Sequence, residues 1–139
     1  MLVAHSASEM FDLVDRVELY PQFLPWCAGA KVLETRPDGK TARIDIDYAG
    51  FRLHFTTDNV NRAGESIKIM LREGPFSHLS GEWRFTSLAS KGCKVALALT
   101  YEFSSPLLEH GVGPVFGGIA NSMIDAFVQR AGAVYPSAS

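Results

Sequence analysis

From residue 42 to residue 103 the chain alternates apolar and polar side chains with a period of two, and after that the period changes. Ala42, Ile44, Ile46 and Tyr48 fall on one face, Arg43, Asp45 and Asp47 on the other. The pattern returns in Phe51, Leu53 and Phe55 against Arg52 and His54, and in Ile67, Ile69 and Leu71 against Lys68 and Arg72. It returns again in Leu79, Gly81, Trp83 and Phe85 against Ser80, Glu82 and Arg84, and ends with Val95, Leu97, Leu99, Tyr101 and Phe103. Successive side chains of a strand point to opposite faces, so antiparallel strands with one wet and one buried face give this alternation. Turn residues separate the runs at Pro37-Asp38-Gly39, Ala49-Gly50, Ala63-Gly64 and Lys91-Gly92. The spacing predicts six consecutive strands between about residues 28 and 103, in one meander.

Beyond Phe103 the apolar residues recur at steps of three or four: Leu108, Val112, Val115, Phe116, Ile119, Met123, Phe127, Ala131 and Tyr135. That is a helical stripe, with Ser104-Ser105-Pro106 as its cap and first turn. Gly111, Gly113, Gly117 and Gly118 each cost about 1 kcal/mol relative to alanine inside a helix. Pro114 opposes continuation there, so the expectation is a helix kinked or broken near 110–114. The glycines read equally as close approach to the sheet or as clearance for a ligand. At the other end, residues 1–4 look like a strand stub, short because His5 follows so soon. Ser6-Ala7-Ser8-Glu9 is a capping box that opens a helix at about 7–17. A short helical turn is expected over Tyr20–Leu24, stopped by Pro25. A curved antiparallel sheet that can bury its apolar face only against one long helix is an α+β architecture.

The length of 139 residues fits a single domain, placed at 1–135, with 136–139 as a frayed tail. With 47% hydrophobic and 20% charged residues, the chain is not a disordered one. A net charge of −2 argues against a nucleic-acid binder working by bulk charge, and no DNA partner is expected. A local patch of Lys31, Arg43, Arg52, Lys68 and Arg72 stays open. No run approaches the roughly 18 apolar residues of a membrane span, and the polar start does not read as a signal peptide. The expected location is cytoplasmic, with any membrane contact peripheral.

Few residues suggest catalysis. Cys27 and Cys93 lack both metal spacing and a neighbouring base, and read as reduced structural thiols. None of His5, His54, His78 and His110 has a second His, Cys or carboxylate at metal spacing. His78, after the Glu73-Gly74-Pro75-Phe76 segment, is the one to choose if any is functional. Asp45 and Asp47 alternate with Ile44 and Ile46 and belong to the wet face, and no phosphate-loop pattern accompanies the glycines.

The run Tyr20-Pro21-Gln22-Phe23-Leu24-Pro25-Trp26-Cys27 resembles the signature of the coenzyme Q-binding START-like proteins. That group includes bacterial ribosome association toxins and oligoketide cyclase/lipid-transport-like proteins. Glu73-Gly74-Pro75-Phe76 with Leu79, Gly81, Trp83 and Phe85 resembles its loop-and-strand segment. Asn121, Met123, Ala126-Phe127 and Arg130-Ala131 resemble its last helix. The resemblance implies a helix-grip fold, with a sheet wrapped round the C-terminal helix and a hydrophobic tunnel between them. On that reading Tyr20, Phe23, Leu24, Trp26, Phe76, Trp83, Val115, Phe116, Ile119, Met123 and Phe127 are the ligand-binding candidates. Phe23, Leu24 and Trp26 would form an exposed apolar mouth, and Arg43, Glu82 and Arg84 are candidate polar contacts. The implied partner is a lipophilic small molecule, ubiquinone or another isoprenoid or polyketide-like lipid, carried in support of respiration; no metal and no obligatory cofactor is implied. Two alternatives come with the family: a toxin that binds the large ribosomal subunit and blocks subunit joining, and a polyketide cyclase in which His78 and Glu73 exchange protons.

Overall fold

The computed structural model describes residues 1–48, 50–88 and 92–135. The expectations for Ala49, for Lys91 and for the 136–139 tail lie outside the described residues.

Strand β1 (Leu2–Val3) leads into helix α1 (Ala7–Asp15) and a 3₁₀ helix over Val17–Gln22. The capping box forms as the sequence predicts, the Ser6 hydroxyl accepting from the Glu9 amide and the Glu9 carboxylate accepting from the Ser6 amide. The second helical turn begins three residues earlier than expected, at Val17 rather than Tyr20. Then come β2 (Cys27–Arg36), β3 (Gly39–Tyr48), β4 (Phe51–Arg62), β5 (Ser66–Glu73), β6 (Phe76–Ser87) and β7 (Cys93–Phe103), and last helix α2 (Pro106–Val134).

The sheet is antiparallel, in the order β1-β7-β6-β5-β4-β3-β2. The six predicted strands are present as one meander. The N-terminal stub adds a seventh, pairing Leu2 with Lys94 and Val3 with Cys93. Gly64 and Gly92 adopt φ of +73° and +96°, as tight turns require. Ala42, Ile44, Ile46, Ile67, Leu79, Trp83, Phe85 and Val95 are all buried, so the period-two pattern marks the inner face correctly. Tyr48, placed on that face by alternation, is exposed at the end of β3.

Helix α2 crosses the inner face as one unbroken element of 29 residues. Of the expected kinked or two-piece helix, the two-piece form is not observed. Pro114 removes one donor, the amide that would bond to the His110 carbonyl, but its neighbours Gly111 and Gly113 carry no side chains to crowd the turn. The predicted stripe is the inward one: Val112, Phe116, Ile119, Phe127 and Ala131 are buried. Close approach to the sheet does not explain the glycines. A Cβ on Gly118 would meet nothing within 4 Å, and one on Gly117 would lie 3.6 Å from the Tyr101 hydroxyl, an ordinary contact.

Candidate ligand-binding site

Two aromatic clusters pin α2 to the sheet. Phe127, fully buried, sits with ring centroids 5.3 Å from Tyr20, Phe23 and Trp83. Nearer the start of the helix, Phe116 contacts Phe76 at 5.2 Å and Tyr101 at 4.7 Å, and Phe76 stacks on Phe103 at 4.9 Å. Between these clusters the interior is not filled. Phe55, Ile69, Leu97, Leu99 and Met123 all turn inward, yet each remains only half-buried. In a close-packed core such residues would be covered. Here they wall an internal chamber of about 100 Å³ together with Tyr20, Trp26, Trp83, Phe116 and Ile119.

The chamber adjoins a larger groove of about 760 Å³ along α2. Trp26 and Ile119 line both spaces, and form the partition between them. The groove's walls also include Phe23, Leu24, Tyr48, Val115, Gly118 and Arg130. Arg130 closes one side, its guanidinium 5.1 Å from the Phe23 ring centroid and donating to Gln22 Oε1 at 3.0 Å. Only 22% of the most apolar 18-residue window of α2 is buried, although its mean hydropathy of 1.2 would suit a membrane span. Among the large apolar side chains of α2 only Leu107 and Val134 are exposed; the others are buried or half-buried.

The candidates named from sequence divide as follows. Tyr20, Trp83, Phe116 and Met123 face the chamber; Phe23, Leu24 and Val115 face the groove; Trp26 and Ile119 face both. Phe76 and Phe127 line neither space, because each is enclosed by other aromatic rings. The exposed mouth expected of Phe23, Leu24 and Trp26 is corrected for Leu24 and Trp26, while Phe23 is half-buried and lines the groove. Leu24 and Trp26 are 1% and 7% exposed, since backbone bonds from Leu24 to Tyr20 and from Cys27 to Leu24 fold the segment back onto the core. Arg43, Glu82 and Arg84 also miss the site: Arg43 pairs with Asp45 and Arg84 with Glu82, both at 2.9 Å, on the outer face.

Sequence reasoning missed Thr57 and Asn59, both buried and both lining the chamber. The signal was present. The odd-numbered register of Phe51, Leu53 and Phe55 continues through them, but polar residues at those positions look like a strand's end.

The site has little acid–base capacity. The Tyr20 hydroxyl donates to the Val14 carbonyl, and burial holds its pKa well above the usual phenol range. Burial pushes the Cys27 thiol up to about 11 and the Cys93 thiol in the same direction, so neither is primed as a nucleophile. His78 and Glu73 are both exposed, and neither lines the chamber. Among the described residues no three His, Cys, Asp or Glu side chains gather into a group able to hold a metal ion.

This geometry, a sheet gripping a long helix with a hollow between, matches proteins already known. Residues 3–128 match the family described as polyketide cyclase / dehydrase and lipid transport. The chain belongs to that family. Among its relatives, ribosome association toxin RatA of Pseudomonas aeruginosa is 42% identical over 134 residues, covering 96% of this chain and 93% of the relative. Coenzyme Q-binding protein COQ10 homolog B of Xenopus laevis, a mitochondrial protein, is 25% identical, covering 96% of this chain and 57% of the relative. The crystal structure of the Zhui aromatase/cyclase from a Streptomyces species superposes with a TM-score of 0.86 at 18% identity, covering 100% of this chain and 94% of that one. A START superfamily protein from Mycobacterium smegmatis gives 0.79 at 24% identity, covering 96% and 94%. At those identities the two structures establish the START-like helix-grip fold alone.

Proposed function

We propose that this protein is a non-catalytic carrier or chaperone for a hydrophobic small molecule of the ubiquinone or isoprenoid-like lipid class, held between the sheet and α2. One observation carries the reading: inward-facing apolar side chains stay half-buried round a chamber that adjoins a groove. Ligand sites usually measure about 300–1,000 Å³ and are mostly apolar. The chamber of about 100 Å³ suits a head group or a chain end, and the groove the remainder. Each methylene withdrawn from water would contribute about 0.8 kcal/mol. The work is desolvation, for which the chamber's apolar walls and the already bonded Tyr20 hydroxyl are suited. The protein would act in the cytoplasm, meeting a membrane surface where lipid is collected or delivered. Native mass spectrometry after gentle purification tests this. Retained lipid, or uptake of added decylubiquinone, is expected; a folded protein that retains neither would overturn the reading.

A second reading is favoured by the 42% identity with a protein named as a ribosome association toxin. It is binding to the large ribosomal subunit in a way that blocks subunit joining. The basic patch considered for such a contact is largely neutralised, since Arg43 pairs with Asp45, Arg52 with Asp47 and Arg72 with Asp58. Such a contact would therefore depend on shape and paired polar groups more than on net positive charge. Gradient sedimentation with purified subunits at low salt tests it: the expected result is co-migration with the large subunit and loss of 70S particles, and its absence excludes the reading. The cyclase alternative has no comparable support, because His78 and Glu73 lie outside the chamber.

A further inference from the structure

Apart from the Tyr20 hydroxyl and the indoles of Trp26 and Trp83, the chamber wall carries polar side chains at one place. Strand β4 turns Phe55, Thr57 and Asn59 into it at successive inward positions, and Thr57 and Asn59 are only 4% and 8% exposed. An amide side chain placed in a mostly apolar wall must find partners there, so an asparagine here calls for a physical reason. The Thr57 hydroxyl donates to Asn59 Oδ1 at 2.9 Å. With the oxygen engaged, the group Asn59 presents to the chamber is its NH₂, two donors and no acceptor. Among the described residues no protein acceptor meets that nitrogen, and it is not one of the polar atoms sealed off from water without a partner, so it is reached from the chamber. The other hydroxyl in the wall, on Tyr20, is already bonded to the Val14 carbonyl. The backbone beneath Asn59 is held firmly: it pairs with Lys40 on one side and Ile69 on the other, and Gly39 packs so closely that a Cβ there would lie 1.9 Å from the Asn59 carbonyl oxygen.

We propose that Asn59, oriented by Thr57, is the specificity-determining residue of the site, donating a hydrogen bond to a carbonyl oxygen at the head of an otherwise apolar ligand. This rests on the ligand-binding reading above and deepens it. The selected class is a ketone- or quinone-headed lipid. The head occupies the chamber, and the chain leaves past Trp26 and Ile119, the residues shared with the groove. A plain hydrocarbon head fits the same walls but covers the Asn59 NH₂ without offering an acceptor, which is how a polar site rejects a ligand lacking the matching group.

The test compares two probes with the same ten-carbon chain: decylubiquinone, which carries ring carbonyls, and decylbenzene, which has no heteroatom. Both are titrated as competitors of a bound fluorescent naphthalene sulfonate, against wild type, Asn59→Leu and Asn59→Asp. A net hydrogen bond of 0.5–1.5 kcal/mol corresponds to about a two- to twelvefold change in affinity. Asn59→Leu is therefore expected to weaken decylubiquinone about fivefold while decylbenzene stays within twofold or tightens. Asn59→Asp, which keeps the shape but replaces NH₂ by oxygen, is expected to lose the same preference, and it decides the matter if Asn59→Leu does not fold. If wild type binds both probes and the variants change both equally or neither, the amide serves packing or a water, and the inference is overturned while ligand binding stands. If neither probe competes on wild type, the ligand-binding reading itself fails and the inference falls with it.

Discussion

Replacing Gly118 by alanine should stabilise this protein. Gly118 lies inside α2 with helical φ, and an added Cβ would meet nothing within 4 Å. No clash opposes the change, so the intrinsic preference decides it. Alanine is favoured over glycine in a helix interior by about 0.8–1.0 kcal/mol, in part because the unfolded chain loses freedom. For a chain of this size 1 kcal/mol moves the melting temperature by about 4 °C. Gly132 is equally open, and at 1.5 Å per residue lies about 21 Å further along the helix. Sites that far apart add, so the double alanine variant should gain about 2 kcal/mol and roughly 8 °C. Urea and thermal unfolding followed by circular dichroism at 222 nm measure both. The two positions differ in one respect: Gly118 lines the groove and Gly132 does not. If the glycines of α2 provide clearance for a ligand, Gly118→Ala should raise stability and lower ligand affinity, whereas Gly132→Ala raises stability alone. A loss of stability at both positions would refute the reasoning, since it would mean that tight packing or a special backbone holds there.

Other perturbations have equally definite signs. Gly39→Ala should destabilise by about 1–3 kcal/mol or more, because the new methyl meets the Asn59 backbone rather than a movable side chain; denaturant titration reads this directly. Phe127→Ala should cost about 3–5 kcal/mol, since a fully buried ring touching Tyr20, Phe23 and Trp83 leaves a cavity under α2; the melting temperature should fall by more than 10 °C. The Cys27 thiol, raised by burial from 9.0 to about 11, binds its proton more tightly folded than unfolded. Its contribution is therefore complete below about pH 9 and is lost as the pH rises towards about 11. The difference in stability between wild type and Cys27→Ala should shrink across that window, and alkylation of the native thiol should be slow at pH 8.

The strands could be read from the chain because period-two alternation is a local consequence of backbone geometry, visible wherever one face of a sheet is wet. The capping box and the α2 stripe were legible for the same reason. Failures arose where the environment of a residue depends on distant chain. Leu24 and Trp26, bracketed by prolines, looked suited to an exposed mouth, but the Leu24 amide bonds back to the Tyr20 carbonyl and the Trp26 carbonyl is held by the Asp47 amide of β3, and both side chains are buried. Thr57 and Asn59 broke the apolar pattern of β4 and were passed over, although they occupy its inward positions. Pro114 argued locally for a broken helix, yet packing of Val112, Phe116 and Ile119 against the sheet keeps α2 continuous.

By itself the sequence determined which residues turn inward, because hydrophobic periodicity follows from strand and helix geometry alone. Whether those residues meet was decided only by tertiary structure. An apolar side chain facing a packed core and one facing a hollow have the same composition and the same spacing. Only the distance between helix and sheet, propped by the aromatic clusters at Phe127 and Phe116, leaves Met123, Leu97 and Leu99 half-covered and opens the chamber between them.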